Sequence, residues 1–451
     1  PSLSGDGELL YFTSNRPGGQ GGFDIWVSKW DGAEYAWPLP LTPRVNTPFD
    51  EIDPDVAPDN LVLYFASNRP RRATDTSEKI AAMLENVEDR KGNFDLYSAD
   101  TAGETTFEVI VERQLSMLYS LRESALADPE IMAKLGGTPQ TEAAVDKGLA
   151  YLASIQEEDG RWNIAKSGGQ ANHDQAATAF ALLAFYGRGE VHDEECKYQD
   201  TVKRGIEWLV RQRGNTGAAT GDLRGPKPQN NAMYDHGIAS LAVIEAYGVT
   251  KDNNPPLALR NAANAAIEFI SKTQHEEGGW RYQPNQKGDL SVTGWYIMAL
   301  ASAKMSGLKV PEKTMDGAAR FLDSVSHGKN KGSYGYTGPG GGTAAMNAAG
   351  FFCAQLLGHS SNTAKAYESS AVVDRQGFKL DDIYYAYYGS VASYQHQGPA
   401  WRKWMETMHP AFVKAQNPDG SWNTGGGHGG AMGKVIVTSL VTLCLEAHYR
   451  Y

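Results

Sequence analysis

Gln274-His275-Glu276-Glu277-Gly278-Gly279-Trp280 ends one amphipathic segment and leads into an apolar one. The arrangement recurs at Gln156-Glu157-Glu158-Asp159-Gly160-Arg161-Trp162 and at Gln416-Asn417-Pro418-Asp419-Gly420-Ser421-Trp422. Degenerate copies stand at Gln212-Arg213-Gly214 and Gly332-Ser333-Tyr334-Gly335. Glycine lets the backbone reverse at a helix end, a Gln amide can bond the backbone groups freed there, and a Trp ring can fill the space between neighbouring segments. These residues are therefore expected to build the fold rather than to do chemistry.

After each turn comes a stretch rich in Ala and aromatics and apolar nearly all round: 174–187, 235–248, 290–303, 343–357, 382–397 and 434–449. A helix with no polar face is normally buried on all sides. Six such inner helices, each preceded by a more amphipathic outer segment, predict a mainly α fold, an (α/α)6 toroid over 140–451. The fifth outer segment, near Ala364 to Val373, is the shortest.

The Gln…Asp-Gly-x-Trp spacing resembles the repeat of squalene-hopene cyclases and protein prenyltransferase β subunits, the terpenoid cyclase superfamily. The resemblance implies two chemistries, and neither finds its residues here. The cyclases' Asp-x-Asp-Asp acid motif has no copy; the nearest acidic pair, Asp381-Asp382, follows Lys379-Leu380. The prenyltransferase zinc site would need a Cys after Asp382, where Ile383, Tyr384 and Tyr385 stand, and a His on the last inner helix, which begins Gly433-Lys434-Val435-Ile436. No metal and no cofactor are expected.

What remains is an acidic and imidazole pattern where the inner helices begin: His173-Asp174, Asp235-His236, Asp289 and Asp382. In a toroid these starts converge on one mouth. Asp174, Asp235, His236, Asp289 and Asp382 are thus the candidate catalytic residues, for acid–base work or cation binding. Asp is also a favoured N-cap that suits the helix dipole, and capping alone predicts it at these positions. Tyr234, Trp295, Tyr384 and Tyr388 are expected to line the cavity, a wall that suits an apolar or a carbohydrate ligand. Two Gly-rich stretches, Thr337 to Thr343 and Gly425 to Gly433, are expected as flexible loops at that mouth.

Ahead of the helical region, Leu10-Tyr11-Phe12-Thr13-Ser14-Asn15-Arg16-Pro17 is echoed by Leu63-Tyr64-Phe65-Ala66-Ser67-Asn68-Arg69-Pro70. Each continues to a second strand, Phe23-Asp24-Ile25-Trp26-Val27 and Phe94-Asp95-Leu96-Tyr97-Ser98. The pattern resembles the WD-like repeats of TolB-type β-propellers, which implies a partial propeller of two antiparallel blades over 1–103. A charged insertion, Thr76 to Arg90, interrupts the second copy. Residues 104–139 read as a linker helix with a stripe of Leu115, Leu118, Leu121, Leu126 and Met132.

Composition bounds the rest. The chain has 451 residues, 41% apolar and 21% charged, with a formal charge of −11 and no basic run, which excludes a nucleic-acid partner. Its three cysteines, Cys196, Cys353 and Cys444, form neither a disulfide framework nor a ligand set. No apolar run approaches the ~20 residues of a membrane span. The chain opens on Pro1 with no leader and reads as a piece of a longer protein; the TolB-like blades imply a periplasmic or extracytoplasmic location. With both superfamily motifs missing, the first expectation is a ligand-binding or scaffold protein, with a possible protein partner on the propeller. The alternative is a divergent terpenoid cyclase or prenyltransferase-like enzyme, or a polysaccharide lyase or hydrolase acting through the Asp/His cluster.

Overall fold

A computed structural model describes residues 1–4, 7–16, 19–30, 35, 38–41, 45–57, 62–68, 95–100, 132, 136–226, 228–250, 255–359, 363–396, 398–424 and 428–450. The charged insertion and nearly all of the linker helix lie outside these residues. The chain divides into two compact units, Pro1–Leu118 and Tyr119–Tyr451.

In the first unit, strands β1 (Ser2–Leu3), β2 (Leu9–Ser14), β3 (Asp24–Lys29) and β4 (Leu39–Pro40) form an antiparallel sheet in sequence order. A second sheet contains β5 (Glu51–Val56), β6 (Val62–Ser67) and β7 (Asp95–Asp100). The sequence echo is an echo of register. Ser14 pairs with Asp24 at one end of β2–β3, and Ser67 pairs with Asp95 at the same end of β6–β7. Tyr11, Ile25, Val27, Val56, Leu63 and Phe65 alternate inward, as strands with one buried face must, and share one small core.

The second unit is mainly helical. Outer helices α1 (Pro139–Ser154), α3 (Gln199–Arg211), α5 (Leu257–Thr273), α7 (Glu312–Val325), α9 (Ala364–Gln376) and α11 (Gly398–Ala415) alternate with inner helices α2 (Asp174–Gly187), α4 (Met233–Gly248), α6 (Leu290–Met305), α8 (Ala344–Leu356), α10 (Ile383–His396) and α12 (His428–Leu445). A short β8–β9 ribbon (Ser326–His327 and Ser333–Tyr334) follows α7, and α13 (Ala447–Arg450) follows α12. Each inner helix lies against the next, and α12 returns to lie against both α2 and α1. The periodicities explain the layers: every residue of α6 from Leu290 to Ala303 is buried, whereas α3 buries only Val202, Gly205, Ile206, Trp208 and Leu209.

Two expectations change. The fifth outer helix is a full 13 residues, capped by the Thr363 hydroxyl on Ala366 N. The stretch from His428, expected as loop, is helical and breaks at Gly433, whose φ of 65° few other residues adopt. Backbone bonds from Gln170 to Ala431 and from Lys434 to Ser167 fasten that break to the loop ahead of α2.

The three complete Gln-Trp turns are built alike. Each Gln amide nitrogen bonds the Gly carbonyl of its own turn and a carbonyl of another outer helix: Gln156 reaches Thr201, Gln274 reaches Thr314, and Gln416 reaches Ala144 of α1. The last of these ties the end of the helical unit to its beginning. Each Trp Nε1 donates to the carbonyl ten residues earlier, Leu152, Ile270 or Phe412, at 2.8–2.9 Å. Gly278 is required twice over, since its φ is +98° and a Cβ there would collide with the Gly317 carbonyl.

Candidate functional site

The inner helices begin at one end of the unit, and how their first residues bond decides what that end can do. In five turns, the backbone N–H of the aromatic or Leu residue donates to a side chain one turn into the following inner helix. Trp162 donates to Thr178, Trp280 to Thr293, Trp422 to Thr438 and Tyr334 to Asn347, at 2.8–3.2 Å. Leu223 donates to His236 Nδ1 at 3.1 Å. His236 thus occupies the place that Thr or Asn holds elsewhere. Its other nitrogen meets Ser240 Oγ at 3.2 Å, and its ring lies against Phe269 and Tyr296. Complete burial pushes its pKa down to about 3, so the ring is neutral.

The carboxylates divide in the same way. Asp289 caps α6 through Val292 N at 2.8 Å and ion-pairs with Arg281 Nε at 3.4 Å; burial raises its pKa to about 6. Asp382 bonds Tyr385 N at 3.0 Å. Asp174 accepts from Ile164 N at 3.0 Å and lies 3.6 Å from Arg161 Nε. Asp174 and Asp382 serve their own helix start or turn, and Asp289 adds to its cap a side-chain hydrogen bond with Tyr336.

Asp235 differs. It sits inside the first turn of α4, is 0% exposed, and reaches back to α2: Oδ1 accepts from Ala176 N at 3.2 Å, and Oδ2 lies 2.6 Å from His173 Nδ1. Burial raises the Asp235 pKa against the opposing pull of His173. Burial works against the charged His173 ring, yet its bond to Asp235 and the charges of Asp235 and Asp174, with help from Asn231, hold its pKa above the ordinary value. Both directions describe a pair that retains a proton.

The predicted lining residues fall into two layers. Deep in the unit, Trp295 of α6 meets Phe180 of α2 edge-on at 5.1 Å and stacks on Tyr387 of α10 at 5.7 Å, with Tyr388 also in contact at 5.6 Å. Helices α2, α6 and α10 are alternate members of the inner ring, so these rings meet within it and fill it at that level. Above them runs a chain of hydroxyls. Tyr234 O–H donates to Ser291 Oγ at 2.7 Å, and Ser291 Oγ lies 3.0 Å from Tyr384 Oη, linking α4, α6 and α10. Beside it Tyr282 and Tyr336 share a 2.7 Å bond, with Arg281 stacked over both rings.

Sequence reasoning placed His173 at this end but left it out of the candidate catalytic set, and it missed Ser291, Tyr282, Tyr336 and Arg281. The separation between donor and acceptor in the turns, 13 or 16 residues, was the available signal: it assigns His236 to the structural set and leaves Asp235 outside it. Among the described residues, no group of three or more His, Cys, Asp or Glu side chains could hold a metal ion, and no helix is long and apolar enough to cross a membrane.

No family model matches the chain. Over 184 residues it is 23% identical to drimenyl diphosphate synthase of Streptomyces showdoensis, a match covering 41% of this chain and 31% of that enzyme. The chain therefore spans about a third of the length of the curated relative it matches. Among solved structures, it is similar to an alpha-1,6-mannanase of Salegentibacter in complex with alpha-1,6-mannotetrose, at 10% identity and TM-score 0.49, over 69% of this chain and 99% of that one. It is also similar to a type II terpene cyclase of Scytonema in complex with geranylgeranyl dihydroxybenzoate, at 10% identity and TM-score 0.47, over 69% and 97%.

Proposed function

We propose that the helical unit is an (α/α)6 toroid that binds a carbohydrate at its mouth and carries out neither of the superfamily's two chemistries. The observation that carries this reading is the two-layered centre. An isoprenoid-sized guest needs a deep apolar cavity, and here Trp295, Phe180, Tyr387 and Tyr388 occupy the middle of the ring themselves. The layer above offers what a sugar uses: aromatic faces at Tyr282 and Tyr336, hydroxyls at Tyr234, Ser291 and Tyr384, and the charged planar group of Arg281. Three of the five candidate catalytic residues cap helix starts or turns and His236 holds a turn, which favours binding over catalysis. The divergent-enzyme reading rests on the His173–Asp235 pair alone.

The paired sheets of the first unit are, in this reading, two blades of a TolB-type β-propeller, and the protein works outside the cytoplasm, where a propeller can bring a protein partner to the sugar-binding unit. Isothermal titration of the protein with neutral gluco-, manno- and xylo-oligosaccharides, set against farnesol-type isoprenoids, tests the ligand class. The expected outcome is saturable binding of one sugar series, weakened at least about tenfold in Tyr282→Ala/Tyr336→Ala through loss of the stacking faces. Saturable binding of isoprenoids with none of sugars would overturn it.

A further inference from the structure

Two loops meet at the start of α6, and backbone bonds fix how they do so. Asp289 N donates to the Trp280 carbonyl at 2.9 Å and Leu290 N to the Tyr336 carbonyl at 2.8 Å, which holds Arg281, Tyr282 and Tyr336 against one helix start. Arg281 has a buried side and an open one. Its Nε is buried and faces the Asp289 carboxylate at 3.4 Å, while the guanidinium carbon lies 5.2 and 5.7 Å from the ring centres of Tyr282 and Tyr336. These contacts fix the plane of the group and leave its fork unused. Among the described residues no group bonds either terminal nitrogen, and unlike Nε both keep surface open to water, the side chain being 31% exposed. A guanidinium held in one plane with its outward N–H groups free matches the two oxygens of a carboxylate, whereas a hydroxyl can use only part of it.

The nearby carboxylates do not consume this charge. Asp289 is already served by Val292 N and by the Tyr336 side chain, and it meets Arg281 through one nitrogen only. Glu277 is answered by Lys287 at 3.0 Å, and Asp174 by Arg161 at 3.6 Å. The formal charge of −11 opposes an anion at long range. Salt screens that opposition beyond about 8 Å, so the contact pair decides. We propose that the terminal nitrogens of Arg281 bind the carboxylate of an acidic sugar beside the Tyr282–Tyr336 pair, so that the ligand is a uronate-bearing oligosaccharide. This inference rests on the carbohydrate reading above and deepens it by naming the chemical class of the ligand. A neutral sugar still has the aromatic faces and hydroxyls; the carboxylate adds a charge-assisted, two-bonded contact.

The test titrates the full chain with oligogalacturonate and with a glucuronate-substituted xylo-oligosaccharide, each set against its methyl ester, which keeps the hydroxyls and loses the charge. In one of the pairs the acid is expected to bind at least about tenfold tighter than the ester at low salt, because an ionised acceptor strengthens the bonds from a guanidinium. That preference should shrink in about 0.5 M NaCl, where the screening length falls below the reach of an exposed pair. Arg281→Gln is expected to bind acid and ester alike, and Arg281→Lys, which keeps the charge without the fork, to retain only part of the preference. The wild-type comparison and the Lys variant keep the proposal falsifiable if Arg281→Gln folds poorly. Equal affinity for acid and ester in the wild type, or a preference that survives in Arg281→Gln, would overturn the proposal and leave the carbohydrate reading standing. Absence of saturable binding to any oligosaccharide, neutral or acidic, would overturn both.

Discussion

The starts of α4 and α6 look alike in sequence, each with an acidic residue where an apolar helix begins, and they are used in opposite ways. Asp289 precedes α6 and caps it, and Thr293, four residues on, receives the Trp280 N–H. In α4 the residue that receives the corresponding N–H is His236. Counting back four residues from it gives Ala232 as the position equivalent to Asp289. Asp235 is therefore three residues further along, beyond the capping position, on a turn of helix that faces α2. A shift of three residues separates a cap from a cross-helix partner.

Removing both carboxylates in turn is the strongest way to break this comparison. Asp235→Ala strands His173 without its partner in a buried position and is expected to cost about 3–5 kcal/mol. Asp289→Ala removes an N-cap and a partly exposed ion pair with Arg281, for about 1–2 kcal/mol. Urea denaturation followed by tryptophan fluorescence measures both. Equal costs would mean that the register argument has no energetic content.

The two halves of His236's role can be separated next. His236→Leu fills similar space but leaves the Leu223 N–H without an acceptor, at about 1–3 kcal/mol. His236→Asn places an amide oxygen where Asn347 already performs this task for Tyr334, and should cost less than the Leu variant. Acid sharpens the test. The folded pKa of His236 is lowered to about 3, and those of buried His409 and His448 to about 4 and 3. Between the unfolded value near 6.5 and these folded values the unfolded chain binds the protons, so each histidine removes up to about 1.4 kcal/mol of stability per pH unit as pH falls. Asp24 and Asp289, both raised to about 6 by burial, act the other way between pH 6 and 4, because their folded forms hold the proton. His236→Asn should flatten the acid limb by one histidine's share. An unchanged slope would show that His236 is accessible to protons in the folded state.

The ring was legible because the Gln-Trp turns repeat their chemistry: a Gly that must be left-handed, a Gln with two carbonyls to reach and a Trp with one. The inner helices announced themselves by lacking a polar face. The candidate site was legible only as a set of residues near helix starts, since Asp at such a place has the same appearance whether it caps or reaches across. The 13- or 16-residue separation in the turns resolves His236 and Asp235, but nothing local pairs His173 with Asp235 or marks Ser291. Their partners, Asp235 and Tyr384, lie 62 and 93 residues away. That Trp295, Phe180, Tyr387 and Tyr388 meet at the centre was hidden for the same reason. An aromatic stripe reads identically whether it lines a cavity or fills one, and only the meeting of Trp295 with rings from α2 and α10 decides.

Asp382 gives the smallest effect and closes the series. Its carboxylate accepts from Tyr385 N at 3.0 Å, and it is half-buried rather than enclosed. Asp382→Ala is therefore expected to cost about 0.5–1 kcal/mol, the lower range for an N-cap in partial contact with water. Asp382→Asn, which keeps an oxygen for the same N–H, should recover most of that. Neither variant should alter sugar affinity, because the carboxylate belongs to the start of α10 and not to the hydroxyl chain through Tyr384. If Asp382→Asn weakens binding while thermal stability stays within a degree of wild type, the negative charge itself faces the ligand, and the division between capping and reaching carboxylates must be redrawn at α10.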